Sequence, residues 1–587
     1  MKTHHDYRAY FLGPKSENQA WVRAELQSIL GHWFQWRKAL YPGDQPVIKA
    51  EDRAAPPYLA AREKMAQGLE ELNQLLEAEL PKFTPRYIGH MVSELALPAL
   101  MGHFAMLLHN PNNTCRSASK VGTQIETEMI SMLAKMMGFD PSQATGHVTG
   151  GGTVANFEAV WRARFRQDHW LSLVLYLAEN CDVKMDIFDG GHMGWQRFKD
   201  LVAKYDVPIN DLRNYSAVAA NPYELGERIN AAFGIKYRGP VMLVPENKHY
   251  SWSKACNIFG YGEQSFWPIP LDTLGKADVG AIQSLIEKAK AEHRPVAMVV
   301  SVAGTTETGE IDPIDRTQGI LNAMLARHGF DIWHHVDAAY GGYLCSMLRG
   351  NKPNVLCTNS AAALAAIGQA HSVTIDPHKL GYVPYACGAF ISRDHQTYAV
   401  SGFSAPYLER HEEEPDKWST TLEGSRSAAG AAATWLTGKT LGFDGGGIGR
   451  VIANTILAAR QFKKDIQTDL KFVHFLTPAE TNILCFSIGE HGWPLSKSNR
   501  ATEAMSGHFE TCANFSISKT TLSTNAHAKL IKAHTEHRAG TIDDDKLVLL
   551  RCVFMNPFWQ DPETARKLTA EIASLMTDWY KNICTKL

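Results

Sequence analysis

The chain has 587 residues, of which 45% are hydrophobic and 20% are charged, and its formal net charge is -2. This balance is typical of a soluble globular protein with more than one domain, and it gives no reason to expect nucleic acid or an anionic membrane as a partner. The ten cysteines are scattered without a CxxC pair, which indicates free thiols in a reducing compartment. The N-terminus lacks the apolar core of a signal peptide, and no run approaches the ~18 apolar residues of a membrane span, so we expect a cytoplasmic enzyme.

Helical periodicity dominates the first part of the chain. Residues 21–36 (WVRAELQSILGHWFQW) and 58–80 carry apolar residues at three- and four-residue spacing, which predicts amphipathic helices. We therefore predict an N-terminal helical segment over residues 1–115.

The pattern changes beyond this segment. Short β-branched runs alternate with helical segments, and the clearest runs are at 241–244, 296–304, 332–337 and 372–376. Runs separated by more than the length of a helix are typical of parallel strands joined by crossovers, so residues 116–440 are predicted to form a large α/β domain. Within it, segment 394–423 contains the charge cluster HEEEP and is predicted to be a mobile loop. Residues 441–587 mix helices with runs such as NILCFSI and LVLLRCVF, which predicts a small α+β domain with an antiparallel sheet.

Each predicted parallel strand leads to polar residues at its carboxyl end. The first run is followed by His249 and the second by Thr305 and Thr306, whereas the third ends at Asp337 and the fourth leads to Lys379. Ligands of open α/β sheets bind beyond the carboxyl ends of the strands, so we expect these side chains to converge on one crevice. Taken singly, each of them could instead be a loop residue satisfied by local hydrogen bonds.

A glycine-rich turn precedes an amphipathic helix in HVTGGGTVANFEAVWRAR. Glycines 150–152 allow close approach of the backbone, and Thr153 offers a hydroxyl and an amide at the start of the helix, which suits a phosphate group. The spacing matches neither a dinucleotide-binding fingerprint nor a Walker loop. Alone, such a turn is weak support for a ligand site, but it gains weight from the strand-end residues of the same predicted domain.

Lys379 is the most informative of these residues. A desolvated ammonium at the mouth of a strand is costly, so it needs a carboxylate partner, a route to solvent, or chemistry that consumes the amine, such as a Schiff base. With a phosphate turn, Asp337 to face a pyridine nitrogen and His249 to stack on a ring, the set matches what pyridoxal 5′-phosphate requires. If Asp337 were only structural, it would need an Arg or Lys partner in the core.

Metal binding by His334, His335 and Asp337 is the weaker alternative. Successive residues of a strand face opposite sides, so His334 points away from the other two, and no third ligand is evident. We expect no metal site.

Seven motifs occur in one order between about residues 85 and 557: TPRYIGHM, GGGTVANFEA, NKHYSWSKA, AGTTETGEIDPI, HVDAAYGG, DPHKLGYVPYACG and LEGSRSAAG. In this combination the chain resembles the pyridoxal-phosphate-dependent group II amino-acid decarboxylases, and its length and lysine motif are most similar to the bacterial tyrosine decarboxylases of that family. The resemblance implies a large domain of fold type I, similar to aspartate aminotransferase, and a homodimer with active sites at the subunit interface. It also implies that the N-terminal segment contributes to the dimer and to the substrate pocket.

The resemblance also assigns roles to residues. It implies that Lys379 forms the Schiff base, that Asp337 pairs with the pyridinium nitrogen and that His249 stacks on the ring. The further cofactor contacts that it implies are Gly152, Thr153 and His378 at the phosphate, Thr305 and Ala339 beside the ring, and Gly424 and Ser425 at the phosphate of the partner chain. The catalytic and substrate residues that it implies are the loop tyrosine Tyr407, the second tyrosine Tyr385, and the side-chain pocket residues Tyr87 and His90.

These roles predict α-decarboxylation of an L-amino acid to an amine and carbon dioxide, with L-tyrosine as the favoured substrate and tyramine as the product. An acidic substrate (glutamate, aspartate or cysteine sulfinate) is the main alternative, because Arg86 and Arg116 could pair with a distal acid group. A lyase or aldolase on the same scaffold and a non-catalytic paralogue are further alternatives.

Overall fold

The computed structural model describes residues 6–351, 353, 355–401, 417–511 and 514–582. These residues form two β-sheets. The larger sheet has seven strands: β1 (Thr145–Thr149), β2 (Val241–Pro245), β3 (Phe266–Ile269), β4 (Val296–Val302), β5 (His334–Asp337), β6 (Ser372–Ile375) and β7 (Gly388–Ser392). Their order is β1-β7-β6-β5-β4-β2-β3, with β7 antiparallel to both of its neighbours and the other pairs parallel. The prediction of a mainly parallel sheet is confirmed, and β2, β4, β5 and β6 are the four predicted strands.

Helices precede, connect and cover these strands. Those before β1 are α1 (Gln19–Leu40), α2 (Ala50–Ala54), α3 (Pro56–Leu76), α4 (Leu97–His109) and α5 (Lys120–Met137). Those between β1 and β7 are α6 (Gly152–Asn180), α7 (Ile187–Gly190), α8 (Gly194–Lys204), α9 (Pro222–Phe233), α10 (Ser251–Ile258), α11 (Val279–Ala291), α12 (Ile314–His328) and α13 (Thr358–Ala365). The predicted helical N-terminus is therefore confirmed. None of the helices among the described residues is long and apolar enough to cross a membrane.

Strands β2, β4, β5 and β6 are buried along their whole length because both faces of the sheet are covered. All seven residues of β4 are buried. On one face, Ala159 and Ala163 of α6 form a buried cluster with Met242 and Val300 of the sheet. Small side chains on α6 let the helix lie close to the strands, and this fixes the position of its first turn at the carboxyl edge of the sheet.

The smaller sheet has four strands: β8 (Val473–Phe475), β9 (Ile483–Ile488), β10 (Ser518–Ser523) and β11 (Lys546–Val553). Its order is β10-β11-β9-β8 and all of its pairs are antiparallel, as predicted. The helices that follow β7 are α14 (His395–Ala399), α15 (Ala429–Thr440), α16 (Ile448–Asp469), α17 (Leu495–Thr511), α18 (Thr524–Glu536) and α19 (Pro562–Asn582). Helices α16, α17 and α19 share a buried cluster with this sheet, for example through Phe462, Met505 and Ile572.

A buried ion cluster connects α5, β1 and the segment before α15. The carboxylate of Glu126, which is fully buried, accepts hydrogen bonds from Arg426, from Lys417 (3.3 Å) and from the backbone amide of Val148 (3.0 Å). Burial alone would raise the pKa of Glu126, but the charges of Lys417 and Arg426 outweigh it and lower the pKa to about 2. The cluster thus anchors the segment before α15, which lies beside the glycine turn at residues 150–152.

We predict that Glu126→Ala destabilises the protein by about 3–5 kcal/mol, because it leaves two buried cations without their carboxylate. Denaturant unfolding followed by far-UV circular dichroism measures the effect, and Glu128→Ala, which removes a half-exposed carboxylate from the same helix, is the matched control with an effect of about 1 kcal/mol or less.

The pH dependence of this contribution has a defined sign. Because the pKa of Glu126 falls from 4.5 to about 2 on folding, the carboxylate stabilises the fold above pH 4.5, and this stabilisation is lost as the pH falls toward 2. Equal stability of the two alanine variants at pH 7 would contradict the role of the cluster.

Candidate active site

A cavity of about 290 Å³ lies where β2, β4, β5 and β6 end. The polar residues that follow these four strands, His249, Thr305, Thr306, Asp337 and Lys379, all line it. The carboxyl ends of parallel strands meet at one edge of the sheet, and the structure brings the strand-end residues together there.

Asp337 is a buried carboxylate whose hydrogen-bond donors among the described residues are neutral. Its side chain is held at Oδ2 by the side-chain amide of Asn156 (2.8 Å) and the indole N–H of Trp252 (3.0 Å), and the amide of Ala339 lies 3.3 Å from Oδ1. Within the part of the chain that the structure describes, no Arg or Lys lies within ion-pair distance of Asp337. A purely structural role, which would need such a partner, is therefore not supported.

A chain of hydrogen bonds behind Asp337 fixes the orientation of Asn156. Ser372 lies 2.8 Å from Nδ1 of His335, whose Nε2 lies 3.3 Å from the amide oxygen of Asn156. Burial lowers the pKa of His335 to about 4, so its ring is neutral at pH 7. The side chain of His334 points the other way, toward Gln318 (2.7 Å), as strand alternation predicted.

Lys379 has a carboxylate partner that the sequence analysis did not identify. Its Nζ lies 3.0 Å from Oδ2 of Asp376, three residues earlier in the chain. Burial alone would lower the pKa of Lys379, but the charge and hydrogen bond of Asp376 outweigh it and raise the pKa. The amine is therefore protonated in the free protein and paired with an acid that could hold its proton.

The side chain of His249 lines the cavity and is also held by residues of its own turn. Its Nδ1 is 3.0 Å from the hydroxyl of Ser251, and its ring contacts the ring of Tyr250 at a centroid distance of 3.9 Å. Burial lowers the pKa of His249, and the positive charge of Lys379 acts in the same direction, while Asp337 opposes both. The imidazole is therefore neutral at pH 7 and presents a flat face to the cavity.

The glycine turn and Thr153 line the same cavity. The first amides of α6 have no acceptor within the helix, and the Thr153 hydroxyl forms no hydrogen bond to the described residues. A Cβ at Gly152 would lie 2.8 Å from Oδ2 of Asp376, so only glycine allows this approach. The amide of Gly150 donates to the carboxylate of Glu423 (3.2 Å), a contact that the sequence did not reveal.

His378 and Tyr385 form a stacked pair at the edge of the cavity. Their ring centroids are 4.0 Å apart, and the ring of Tyr385 is 58% exposed. The amide of Cys387 donates to Nδ1 of His378, so in the neutral ring the proton is on Nε2, which faces Oδ2 of Asp376 at 3.5 Å. Burial lowers the pKa of His378, which favours this neutral form.

Thr305 and Ala339, which were expected beside a ring, also line the cavity. The Thr305 hydroxyl donates to Glu310 (2.5 Å) and accepts from the amide of Gly309 (3.0 Å), so it organises its own loop. Only the apolar part of Thr305 and the methyl group of Ala339 remain to contact a ligand.

Four predicted residues do not line the cavity, and a fifth cannot be placed. Tyr87 is buried beside Ser516 at the edge of the small sheet, and His90 is bonded to Arg551 (3.0 Å). Gly424 and Ser425 are exposed, and Ser425 accepts from Asn112 (3.0 Å). The loop tyrosine, Tyr407, lies outside the described residues.

The two arginines proposed for an acidic substrate do not line the cavity either. Arg86 pairs with Glu571 (2.7 Å) on α19, and Arg116 is exposed. Arg551 is better placed, because it is 7% exposed and donates to the carbonyl oxygen of Thr306 (2.7 Å), which lines the cavity. Within the described residues no carboxylate pairs with Arg551.

The residues that the sequence analysis missed carried signals of different strength. Arg551 interrupts an apolar strand run, LVLLRCVF, and such a charge in a buried strand could have identified it. Asn156 and Asp376 lie inside the motifs quoted above. The contact of Asn156 with Asp337 and that of Asp376 with Lys379 depend on the three-dimensional path of the chain, so the motifs alone did not predict them. Trp252 gave no signal of its own, since a buried tryptophan is ordinary core.

The residues present fit pyridoxal 5′-phosphate. Asp337, which has no Arg or Lys within ion-pair distance among the described residues, lines the same cavity as Lys379 and the first residues of α6, whose amides have no acceptor within the helix. In addition, Oδ1 of Asp376 is buried and has no hydrogen-bond partner within the described ranges of the chain. A protonated ring nitrogen, a phosphate and an aldehyde are the complementary groups for these three positions.

Comparison with known proteins gives the same result. A family model described as the pyridoxal-dependent decarboxylase conserved domain matches residues 231–489. The chain is 31% identical over 522 residues to an L-tyrosine decarboxylase of Levilactobacillus brevis, covering 83% of this chain and 80% of that protein. It is 30% identical over 503 residues to an L-tyrosine decarboxylase of Enterococcus faecium, covering 81% of this chain and 79% of that protein. An L-2,4-diaminobutyrate decarboxylase of Acinetobacter baumannii is 27% identical over 441 residues, covering 72% of this chain and 73% of that protein.

Among solved structures, Catharanthus roseus tryptophan decarboxylase in complex with L-tryptophan has the same fold, with a TM-score of 0.62 at 14% identity over 96% of this chain and 98% of that chain. The sequence relatives, the matched domain and the arrangement of Lys379, Asp337 and the glycine turn agree. The chain belongs to the pyridoxal-dependent decarboxylases and is an amino-acid decarboxylase with pyridoxal 5′-phosphate as its cofactor.

Proposed function

We propose that the protein decarboxylates an aromatic L-amino acid, and specifically L-tyrosine to tyramine. The observation that carries this choice is the aromatic mouth of the cavity, where Tyr385 is 58% exposed and Tyr250 is 59% exposed. Exposed rings at a cavity mouth offer stacking surface to an aryl side chain. The names of the relatives at 30% and 31% identity support the same substrate.

The roles of the residues follow from their contacts. When bound, pyridoxal phosphate supplies an electron sink, which accepts the electrons of the bond between Cα and the carboxylate that leaves as carbon dioxide. Asp337 would keep a proton on the ring nitrogen, and Lys379, after passing its proton to Asp376, would bind the aldehyde carbon. His249 would lie against the ring and, being neutral, could hold or return a proton at Cα of the substrate.

Other predicted residues would contact the phosphate and the substrate. Gly152, Thr153 and His378 would hold the phosphate, and Tyr385 would face the substrate. Tyr407 would return a proton to Cα from a loop that closes over the cavity and excludes water.

A decarboxylase of acidic amino acids is the second candidate, and Arg551 is the observation that favours it. A buried guanidinium beside the cavity, with only neutral partners among the described residues, suits an acid group of a ligand. Glutamate, aspartate and cysteine sulfinate each carry such a group in addition to the carboxylate that is lost.

We also propose that the protein works as a homodimer. No residue of α1 or α3 is buried, although both helices exceed 20 residues. On α3, Met65, Leu69, Leu72 and Leu76 are each at least 50% exposed and lie on one face of the helix. A second copy could cover this face, and Gly424 and Ser425, which are exposed, would then reach the partner's phosphate.

We predict that the purified holoenzyme forms tyramine and carbon dioxide when it is offered all common amino acids, as measured by mass-resolved product analysis. Lys379→Ala should abolish turnover, because no amine remains to bind the aldehyde, while Lys532→Ala, which removes an exposed lysine of α18, should keep wild-type activity. Release of γ-aminobutyrate, β-alanine or hypotaurine would favour the second candidate. Turnover by Lys379→Ala would contradict the mechanism.

We predict that Asp337→Asn lowers kcat by about 100- to 1,000-fold, the range for losing one preorganised electrostatic partner. The variant keeps the shape and the donors around the site but loses the charge that holds a proton on the ring nitrogen. Asp312→Asn is the matched control, because Asp312 is a buried carboxylate that accepts from the amides of Ala277 (2.8 Å) and Val302 (2.7 Å) and does not line the cavity. Steady-state kinetics should show its kcat within about threefold of wild type, and an equal loss in both variants would contradict the assignment.

We predict that the double variant Leu69→Glu/Leu72→Glu is a monomer in sedimentation velocity, because two charges would have to be buried in the dimer. The control Gln67→Glu/Gln74→Glu adds the same charge to α3 at positions that bond to Glu63 and Glu70 within the helix. It should remain a dimer, and a dimer of the leucine variant would contradict burial of this face.

A further inference from the structure

A second cavity of about 490 Å³ lies between α6, α9 and the segment that follows α10. It shares no lining residue with the candidate active site. Its walls are partly aromatic, with Tyr223, Phe259 and Tyr261 among the lining residues. The volume exceeds that of a single amino acid, so an aryl side chain could enter it.

One face of α6 supplies part of the polar lining of this cavity, and Glu227, Asn230 and Arg238 add further polar groups from other segments. Arg164, Gln167, Asp168 and Leu171 follow each other at the spacing of one helical face, and all four line the cavity. Gln167 is 4% exposed, and neither its Oε1 nor the buried hydroxyl of Tyr261 has a hydrogen-bond partner among the residues that the structure describes. Buried polar atoms are normally satisfied, so these two positions call for a ligand with hydrogen-bonding groups.

The charges of the cavity are of both signs. Asp168 is 9% exposed and its carboxylate accepts from the amide of Ala217 (2.6 Å) and from the hydroxyl of Ser216, with no cation in ion-pair contact among the described residues. Arg164 is half-buried and likewise forms no ion pair with a described residue. A ligand that carries an anionic and a cationic group close together would satisfy both side chains.

We propose that this cavity is a second binding site for a free amino acid with an aromatic side chain. Arg164 takes the α-carboxylate, Asp168 and Oε1 of Gln167 take the α-ammonium, and the rings of Phe259 and Tyr223 take the side chain. The proposal goes beyond the proposed function, because it needs binding at this cavity and not turnover at the other.

Helix α10 connects the two cavities. His249 and Tyr250, directly before α10, line the candidate active site, whereas Phe259 and Tyr261, directly after it, line the second cavity. The helix also carries Trp252, whose indole bonds to Asp337. Its eight residues span about 12 Å, so a ligand that fixes the end of α10 also fixes the groups at its start. Binding at the second site therefore regulates the placement of His249 and Asp337.

The test is calorimetric titration of L-phenylalanine into full-length holoenzyme that has been inactivated with borohydride, which prevents exchange at the active site. We expect about one mole bound per chain, at least tenfold weaker binding by Arg164→Gln and Gln167→Leu, and unchanged binding by Glu224→Gln, an exposed acid on α9 outside the cavity. Phenethylamine, which lacks the carboxylate, should bind at least tenfold more weakly than L-phenylalanine.

Three results would overturn the site: no saturable binding, wild-type affinity in both cavity variants, or equal affinity for phenethylamine. Failure of borohydride to inactivate the enzyme would count against the proposed role of Lys379 instead, so the two failures are distinguishable.

Hydrogen exchange at residues 251–261 tests the coupling without activity. L-phenylalanine should slow amide exchange there in the wild-type holoenzyme but not in Arg164→Gln. Unchanged exchange in a protein that binds the ligand would overturn the regulatory role of α10.

Discussion

The carboxylate of Asp337 is the group around which the middle of the molecule is arranged. It is 5% exposed, yet its hydrogen bonds come from Asn156, Trp252 and a backbone amide rather than from a cation. Neutral donors offset only part of the free-energy cost of burying an anion, so binding of a positive charge at this site is still favoured. In the proposed mechanism a protonated ring nitrogen of the cofactor would supply this positive charge, so the same carboxylate would serve both cofactor affinity and catalysis.

Sheet pairing determines how Asp337 is held. The parallel register places His335 of β5 beside Ser372 of β6, and the neutral imidazole passes a hydrogen bond on to Asn156. Lys379 lies at the end of the next strand and is held differently, by a full ion pair to Asp376. Strand β5 thus ends in Asp337, which has no Arg or Lys within ion-pair distance among the described residues, and β6 leads to Lys379, which is paired with Asp376. In the proposed mechanism the first arrangement would serve binding of the ring and the second would serve chemistry at the amine.

Much of the fold and of the site could be predicted from the sequence, because the patterns reflect burial on both faces. Strands such as β4 are almost entirely apolar and fully buried, since helices cover both sides of the sheet, and the polar residues at the strand ends then had to converge on one edge. The pairing of Asp376 with Lys379 and the bond from Asn156 to Asp337 could not be predicted, because they depend on the turn after β6 and on where α6 lies. Nor does an amphipathic pattern say which surface covers a helix. Helix α3 carries that pattern, yet none of the residues that the structure describes buries it.

Helix α6 buries many polar residues because they make contacts at several places along its length. Its first turn faces the cavity through Thr153, and Asn156 holds Asp337 one turn later. Glu158 then bonds to His147 (3.0 Å) and to the amide of Leu422 (2.8 Å), which anchors the segment before α15, and the face that includes Gln167 lines the second cavity. A single rigid helix of 29 residues therefore sets the spacing between all of these contacts. Because the helix cannot shift at one of them without shifting at the others, its polar residues are constrained by the geometry of both cavities as well as by their own burial.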